Sequence, residues 1–376
     1  MKKILYITTL SRTINAFLVP HIQRLLEIGF EVDCACAVDR PVNDSLISNG
    51  VKVYDIPFSR NPLDLRNRKA FQRLVQIQKE HQYDIVHVHT PIAALYGRLL
   101  KMKFPKLKTI YTAHGFHFYK GAPLLNWLLY YPIERIMARF TDAIITMNDE
   151  DYERAKSFQV SETYKVNGVG LNLNQYNVLS YKKDLSRAKL GIDPSDFVIV
   201  MIAETNLNKN HQQMIHAISF LSTEYPQVKV LCAGEGPLFE TLKNEIVKKH
   251  LENTIYMLGY RRDIEELISA SDIGMLLSYR EGLPRNIMEL MAFGKPVVGT
   301  NIRGIKDLVI DHETGLLVEV GDYEATAEAI KRFIQEKDLL QSCGQKAFER
   351  VQMYEISNVL HQLEEITMSG RVRKVE

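Results

Sequence analysis

Short apolar runs alternate with longer amphipathic segments along the first half of the chain. An apolar run at 4–8 is followed by an amphipathic segment at 17–28, which ends at Gly29, and by a second apolar run at 31–37. This order predicts a strand, a helix and a second, parallel strand. The same rhythm continues through predicted strands and helices at 52–56, 69–81, 85–88, 93–101, 109–112 and 143–147.

The rhythm stops in an Asn- and Gly-rich segment after Lys165 and then begins again. Predicted elements follow at 197–202, 211–222, 228–232, 237–249, 254–258, 272–277, 285–293 and 354–367. Alternating strands and helices predict an α/β chain with two domains, 1–168 and 169–353, each with a parallel, doubly wound sheet. Residues 354–376 are expected to pack back on the first domain. Ligands bind beyond the carboxyl ends of such strands, so two facing domains would place a site in the cleft between them.

The charged residues are unevenly distributed, although the net charge of the 376 residues is only +2. Residues 1–170 hold about 23 Lys and Arg against about 16 Asp and Glu. A basic half of this kind suits nucleic acid, anionic lipid or a phosphorylated substrate, but its basic residues lack the interleaved aromatics of a nucleic-acid module. The apolar run that follows Lys2 and Lys3 is too short for a signal peptide or a membrane span, so we expect a cytoplasmic protein.

The stretch 278–299 combines a turn, a helix start and two carboxylates. Glu281 lies in the predicted turn, whereas Glu289 lies in the helix that begins at Arg285 and ends before Gly294. The first amides of that helix have no partner within it, so they offer an anion site flanked by two carboxylates that can accept hydroxyl groups. A phosphorylated sugar fits this description, and a pair of solvated surface glutamates is the alternative.

Three further predicted strands end in residues suited to binding a nucleotide. Lys209 lies near a helix start, where an ammonium group and free amides favour phosphate. Gly234 and Gly236 permit close approach of the backbone, and Tyr260 with Arg261 could stack on a base or hydrogen-bond to it. For Lys209 and Tyr260 the alternatives are a solvated loop lysine and an exposed turn.

These motifs resemble those of the family 4 glycosyltransferases, which are retaining enzymes with the GT-B fold of two facing Rossmann-like domains and a deep interdomain cleft. The family's order and spacing are found in Lys209, GEGP at 234–237, SYREGLPRNIME at 278–289, GKPVVGT at 294–300 and GLLV at 315–318. The N-terminal half resembles the family in DIVHVHTP at 84–91 and TAHGFHF at 112–118. The stretch AHGFHFYKGAP is similar to the bacterial exopolysaccharide or capsular branch.

The resemblance implies transfer of a sugar from a nucleotide sugar, with a preference for UDP, to a lipid-linked oligosaccharide during synthesis of cell-surface polysaccharide. It also implies same-face attack, in which the leaving phosphate accepts the proton of the acceptor. By the same resemblance Glu281 contacts hydroxyls of the donor sugar, Glu289 the ribose hydroxyls and Lys209 the diphosphate. The other implied donor contacts are backbone at Gly282, Leu283 and Pro284, and Tyr260 and Arg261 near the base. His114 would face the sugar, unless it is a loop imidazole that caps local backbone.

The chain departs from the family in two places. Glu204 stands where the family usually has an arginine that helps to neutralise the diphosphate, and we hypothesise that Arg285 or Arg12 supplies the missing charge. Glu204 itself would turn away or bind another hydroxyl. In the loop after the first strand the family often has paired glycines, whereas this chain has SRTIN at 11–15, so Arg12 and Thr13 are candidates for the acceptor or phosphate side of the site.

Asp149 and Asp151 form a D-x-D motif, which binds a metal ion in glycosyltransferases of the other major fold. They follow a predicted strand and precede a predicted helix, so we expect them to cap that helix. With positive charge supplied by Lys209 and by helix amides, the donor site needs no divalent metal. No cofactor is expected, because the nucleotide sugar is a substrate.

The segment 116–140 holds the single tryptophan and a dense apolar run, but two prolines make it too broken to span a bilayer. Basic residues nearby in the sequence suit it to an anionic membrane surface. A helix buried beneath the cleft is the alternative.

Two rival functions remain open. A nucleotide-sugar 2-epimerase of the same fold needs only the donor side and would turn over without an acceptor. A non-catalytic two-lobed sugar-binding protein would clamp a sugar without reacting, although the phosphate-site residues argue against it.

Overall fold

The computed structural model describes residues 1–62, 64–176 and 181–369. The chain divides into two compact units: Met1–Gly170 with the described residues from Ser357 onward form the first, and Leu171–Ile356 form the second. Each unit is built from one parallel sheet and the helices packed on it. The two α/β domains predicted from the alternation of strands and helices are therefore confirmed.

The described part of the first unit holds seven parallel strands. They are β1 Lys3–Leu10, β2 Glu31–Ala37, β3 Val53–Asp55, β4 Ile85–His89, β5 Lys108–Thr112, β6 Ala143–Thr146 and β7 Glu162–Lys165. Their order in the sheet is β3-β2-β1-β4-β5-β6-β7. Leu5 and Val86, in neighbouring central strands, are fully buried, as expected for apolar runs covered on both faces. The sequence pattern misses the edge strand β7, because its residues ETYK contain no apolar run.

Helices follow most of these strands. They are α1 Ser11–Thr13, α2 Val19–Glu27, α3 Asp44–Ser48, α4 Arg66–His81, α5 Pro91–Lys103, α6 Leu124–Met137 and α7 Asp149–Lys156. The residues Ile14–Leu18 form a π-helical turn, so the helix predicted from residue 17 takes α-helical geometry only from Val19. α5 lies close on the sheet, because a Cβ at Gly97 would come within 2.4 Å of Cγ1 of Val88.

The second unit repeats the design with six parallel strands among its described residues. They are β8 Phe197–Ile202, β9 Val228–Ala233, β10 Ile255–Gly259, β11 Ile273–Leu276, β12 Val297–Thr300 and β13 Gly315–Val318. The sheet order is β10-β9-β8-β11-β12-β13, so the chain changes direction across the sheet between β8 and β11. Such a switch point opens a crevice beyond the carboxyl ends of the two strands.

The helices of this unit are α8 Lys183–Leu190, α9 His211–Leu221, α10 Phe239–Lys248, α11 Ile264–Ala270, α12 Arg285–Ala292, α13 Ile305–Leu308, α14 Tyr323–Gln335 and α15 Lys337–Val351. The last helix, α16 Ile356–Met368, belongs to the first unit from Ser357 onward. There the ammonium group of Lys108 donates to the carbonyl oxygen of Ile366 at 2.9 Å, near the end of α16. The end of the segment predicted to pack on the first domain, from 370, lies outside the described residues.

Candidate functional site

Four neighbouring strands of the second sheet end at the predicted donor residues. β10, β9, β8 and β11 lie side by side and lead into Tyr260, the loop 234–236, Lys209 and Glu281, respectively. Carboxyl ends of parallel strands meet at one edge of a sheet. The fold therefore gathers these residues at one edge of the second unit.

The loop after β8 is joined to the loop after β9 by two backbone hydrogen bonds. The amide of Thr205 donates to the carbonyl oxygen of Glu235 at 3.1 Å, and the amide of Leu238 donates to the carbonyl oxygen of Thr205 at 2.9 Å. A Cβ at Gly234 would lie 2.0 Å from the carbonyl oxygen of Ala203, so the close approach of the two loops requires glycine there.

Lys209 is presented by a short 3₁₀ turn. The side chain of Asn206 accepts from the amide of Lys209 at 3.2 Å, and Asn210 follows in the left-handed conformation before α9 begins. The ammonium group of Lys209 lies 2.5 Å from the carboxylate of Glu281, with the two side chains 20% and 12% exposed. This partly shielded ion pair remains open to a ligand. An incoming diphosphate can take the ammonium group and leave the carboxylate to accept hydroxyl groups.

The turn 281–284 is shaped by a close backbone contact. Gly304 has a φ of 80°, and a Cβ there would lie 2.5 Å from the carbonyl oxygen of Gly282. Leu283 packs half-buried against the core, and Pro284 directly precedes the first residue of α12. The helix begins where the sequence predicts, so the first amides of α12 lie immediately after the turn.

Glu289 of α12 receives two hydrogen bonds at one carboxylate oxygen. The hydroxyl of Tyr176 donates to its Oε1 at 2.9 Å, and Nε of Arg285 donates to the same atom at 3.1 Å. Burial raises the pKa of Glu289, and the charge of Arg285 and the two donors oppose that rise. Tyr176 is not among the predicted site residues, and its one signal in the sequence is an aromatic ring in a polar connecting segment.

The two arginines considered as substitutes for the missing family arginine contact other carboxylates. Arg285 binds Glu289, whereas Arg12, in α1 of the first unit, forms an ion pair with Asp39. Thr13 follows Arg12 at the carboxyl end of β1. Glu204 is exposed at the end of β8, and its compensation by either arginine stays a hypothesis.

The residues predicted to lie near the base adopt different environments. The side chain of Tyr260 is 68% exposed, and its amide lies 3.4 Å from Oε1 of Glu235. Arg261 donates from Nε to a carboxylate oxygen of Asp263 at 2.8 Å. Tyr260 thus offers an open ring for stacking, while the guanidinium group of Arg261 is directed to Asp263.

His114 lies in the first unit beyond the end of β5 and contacts His89 at the end of β4. Nε2 of His114 is 3.1 Å from Nδ1 of His89, so one ring donates to the other and the tautomer of His89 sets that of His114. The rings of His87 and His89 stack with centroids 4.4 Å apart. The alternation H-V-H places both on one face of β4, which is the signal by which sequence reasoning could have found His89.

Burial keeps these histidines neutral. The pKa of His114 is lowered from 6.5 to about 4, first by burial and then by the neighbouring His21. The pKa of His87 is lowered to about 3 and that of His21 to about 4, again chiefly by burial. At neutral pH His114 is therefore an uncharged hydrogen-bonding group, which suits sugar hydroxyls better than phosphate.

The two aspartates of the D-x-D motif bind different partners and do not form a common site. Asn148, rather than either aspartate, caps α7, because it is the extended residue at the helix start and its side chain accepts from the amide of Asp151 at 2.8 Å. Asp149 pairs with Lys165 at 2.5 Å, and Asp151 accepts from the amide of Phe116 at 3.1 Å. Capping by the aspartates was therefore the wrong expectation. In the part of the chain that the structure describes, no group of three or more His, Cys, Asp or Glu side chains could hold a metal ion.

Known proteins are similar to this chain in sequence and in fold. Residues 182–350 match the family described as glycosyl transferases group 1, and residues 3–148 match the family described as glycosyl transferase 4-like. The putative glycosyltransferase EpsD of Bacillus subtilis is 36% identical over 352 residues, which cover 92% of this chain and 91% of EpsD. The UDP-Gal:alpha-D-GlcNAc-diphosphoundecaprenol alpha-1,3-galactosyltransferase of Escherichia coli is 27% identical over 316 residues, which cover 82% and 81% of the two chains.

Among solved structures, Anabaena HepE in complex with UDP and glucose has a TM-score of 0.82 and covers 98% of this chain and 100% of its own, at 21% identity. At that identity the likeness concerns the fold, and it agrees with the two parallel sheets. The family matches and the extensive identity to EpsD concern the sequence. By its sequence the chain belongs to the family 4 glycosyltransferases, and its fold is the GT-B fold.

Proposed function

We propose that this protein transfers a sugar from a UDP-sugar to a lipid-linked sugar acceptor, with retention at the anomeric carbon, during synthesis of a bacterial cell-surface polysaccharide. The ion pair of Lys209 and Glu281 carries the proposal, because it joins a cation for the diphosphate to a carboxylate for sugar hydroxyls. The relatives support the substrates. That of Escherichia coli is named for UDP-Gal and a diphosphoundecaprenol-linked acceptor, and HepE binds UDP.

The charges that develop during transfer match the residues at the edge of the second sheet. Departure of UDP builds positive charge at the anomeric carbon and negative charge on the diphosphate. Lys209 and the first amides of α12 stabilise the diphosphate. Glu281, freed from Lys209, accepts hydrogen bonds from the donor sugar, and Glu289 accepts them from the ribose.

Bond making and bond breaking take place on one face of the donor sugar. The acceptor hydroxyl forms its bond to the anomeric carbon as the bond to the phosphate oxygen breaks, and that oxygen takes the proton of the acceptor. His114 contributes a neutral hydrogen bond to a sugar hydroxyl. The reaction needs no divalent metal and no cofactor, because Lys209 supplies the positive charge. We place it in the cytoplasm, at the inner face of the plasma membrane.

The test is release of UDP from a panel of nucleotide sugars, with and without an undecaprenyl-diphosphate-linked sugar. We expect release from a UDP-sugar only with the acceptor, no change on adding EDTA, and the donor's anomeric configuration in the product by NMR. Conversion of the donor without acceptor would instead identify an epimerase. Tight binding of UDP-sugar without release with any acceptor would identify a binding protein, and either result overturns the proposal.

A further inference from the structure

The inner face of α6 is fixed to the first unit by aromatic packing and a buried ion pair. The ring of Trp127 lies 5.7 Å from that of Phe118, and the ring of Tyr130 stacks at 4.6 Å on His117. The carboxylate of Glu134 receives a hydrogen bond of 2.7 Å from the fully buried Arg98. These contacts hold the helix in one rotation about its axis.

That rotation turns an apolar stripe outward. Six large side chains on it are between 42% and 73% exposed, and Pro132 is exposed among them. The six are Leu124, Leu125, Leu128, Leu129, Ile133 and Ile136. Their spacing of one, three and four residues places them on one side of an α-helix. The exposure of these side chains contradicts the alternative of a helix buried beneath the cleft. A large exposed apolar surface of this kind marks a contact site.

The exposed charges within the segment that carries the stripe have one sign, although Glu150 of α7 accepts a hydrogen bond from the amide of Lys120. Within 119–140, every residue of which the structure describes, the exposed charged side chains are Lys120, Arg135 and Arg139. The one acidic residue of that range, Glu134, points inward to Arg98. An apolar face bordered by basic groups complements a surface that offers hydrocarbon beneath negative charge.

The dimensions of α6 fit a helix that lies on a bilayer. Its 14 residues extend about 21 Å, short of the roughly 30 Å of hydrocarbon that a spanning helix must cross. Among the described residues, no helix has both the length and the apolar character of a membrane span. A second copy of the chain is a poorer occupant, because a twofold contact through the stripe would bring Lys120, Arg135 and Arg139 of both copies together.

We propose that α6 is an interfacial helix that docks the enzyme on an anionic lipid bilayer. Its leucine and isoleucine stripe enters the boundary between headgroups and acyl chains, and Lys120, Arg135 and Arg139 contact lipid phosphates. The role of this docking rests on the proposed function, because a lipid-linked acceptor remains in the bilayer while its sugar reaches the enzyme. The short segment 115–123 joins α6 to His114, so docking brings the candidate sugar-binding residue of this unit close to the membrane.

Flotation of the full chain with lipid vesicles tests the proposal. We expect binding to vesicles of phosphatidylcholine with phosphatidylglycerol, and much weaker binding to phosphatidylcholine alone. The variant Leu125→Gln with Leu129→Gln should lower the partition coefficient by about tenfold or more. Its matched control is Leu185→Gln with Val247→Gln in the second unit, since the two pairs have similar exposure, 62% and 51% against 60% and 53%. The control should float like the wild type.

A charge variant separates lipid docking from other occupants. Arg135→Gln with Arg139→Gln should abolish the preference for anionic vesicles. Failure of the wild type to float, or unchanged flotation of the leucine variant, would overturn the proposal. So would a leucine-dependent dimer in light scattering with no effect on flotation.

Turnover of a short-chain acceptor dispersed without membrane keeps this proposal apart from the transferase function. The leucine variant should retain that turnover while losing flotation. A protein that floats but turns over no acceptor would contradict the proposed function alone.

Discussion

The hydroxyl of Tyr176 donates a hydrogen bond of 2.9 Å to the carboxylate of Glu289, a residue 113 positions further along the chain. The same oxygen accepts from Arg285. The two hydrogen bonds hold Glu289 in one orientation at the position proposed to bind ribose hydroxyls, and they oppose the rise in its pKa that burial causes. The connecting segment before α8 therefore contributes Tyr176 to the proposed donor site.

Removal of this hydroxyl should weaken both folding and nucleotide binding. Tyr176→Phe is expected to lower the free energy of unfolding by about 1 kcal/mol, the net contribution of one hydrogen bond. Loss of the hydrogen bond from Tyr176 also raises the pKa of Glu289 further. UDP affinity should therefore fall severalfold, and it should fall more steeply as the pH is lowered and Glu289 takes up a proton. Calorimetric titration with UDP at two pH values measures this. Tyr181→Phe is the control, because both rings pack on Phe293, and equal effects of the two substitutions would contradict the assignment.

Loss of the ammonium group of Lys209 should affect binding of the diphosphate. Lys209→Ala is expected to weaken UDP binding by roughly 10- to 100-fold, the range for a hydrogen bond to a charged group. Lys331 provides the control, because it forms a lysine–glutamate pair with Glu224 elsewhere in the same unit. Lys331→Ala should leave UDP affinity unchanged in the same titration. Equal affinity of the Lys209 variant and the wild type would remove this lysine from the donor site.

The buried histidines should make the first unit sensitive to acid. The pKa of His87 is lowered from 6.5 to about 3, so as the pH falls below 6.5 the unfolded chain takes up a proton that the native state does not. The stability contributed by the neutral ring is complete above 6.5. It is lost as the pH falls towards 3, by roughly 1.4 kcal/mol per pH unit for one histidine.

Fluorescence of the single tryptophan, Trp127, follows unfolding of this unit as a function of pH. Nε2 of His87 lies 2.7 Å from the hydroxyl of Thr112. His87→Gln should flatten the decline of stability with acid, because one titrating ring is removed while the new side-chain amide can replace that hydrogen bond. His361→Gln, on the exposed face of α16, should leave the slope as it is. Parallel slopes for all three proteins would show that His87 does not titrate in this window.

The backbone contact at Gly304 should be intolerant of a side chain. Gly304 and Gly321 have similar φ values of 80° and 85°, but a Cβ at Gly321 would have no atom within 4 Å. Gly321→Ala is expected to cost about 1 kcal/mol for the left-handed conformation. Gly304→Ala should cost about 2–3 kcal/mol more and also weaken UDP binding, because the carbonyl of Gly282 must move. Chemical denaturation and UDP titration compare the two, and equal costs would show that the turn yields freely.

Much of the fold and part of the site were predictable from local pattern. The strands predicted at 31–37 and 197–202 have those bounds as β2 and β8. The helix predicted after Pro284 begins at Arg285. The spacing of hydrophobic residues and the residue types of turns depend on a few neighbouring residues, so they can be recognised from a short stretch of sequence. They placed Lys209 and Glu281 just beyond strand ends.

The sequence by itself determined which segments form strands and helices, and which chemical groups stand at the strand ends. The tertiary structure decided which groups meet. β8 lies beside β11 although β9 and β10 intervene in sequence, and this neighbourhood brings Lys209 to Glu281. Packing between distant segments likewise joins Tyr176 to Glu289 and His89 to His114, and it turns the leucine stripe of α6 outward. These relationships depend on chain topology and on the burial of opposite helix faces, which no local pattern encodes.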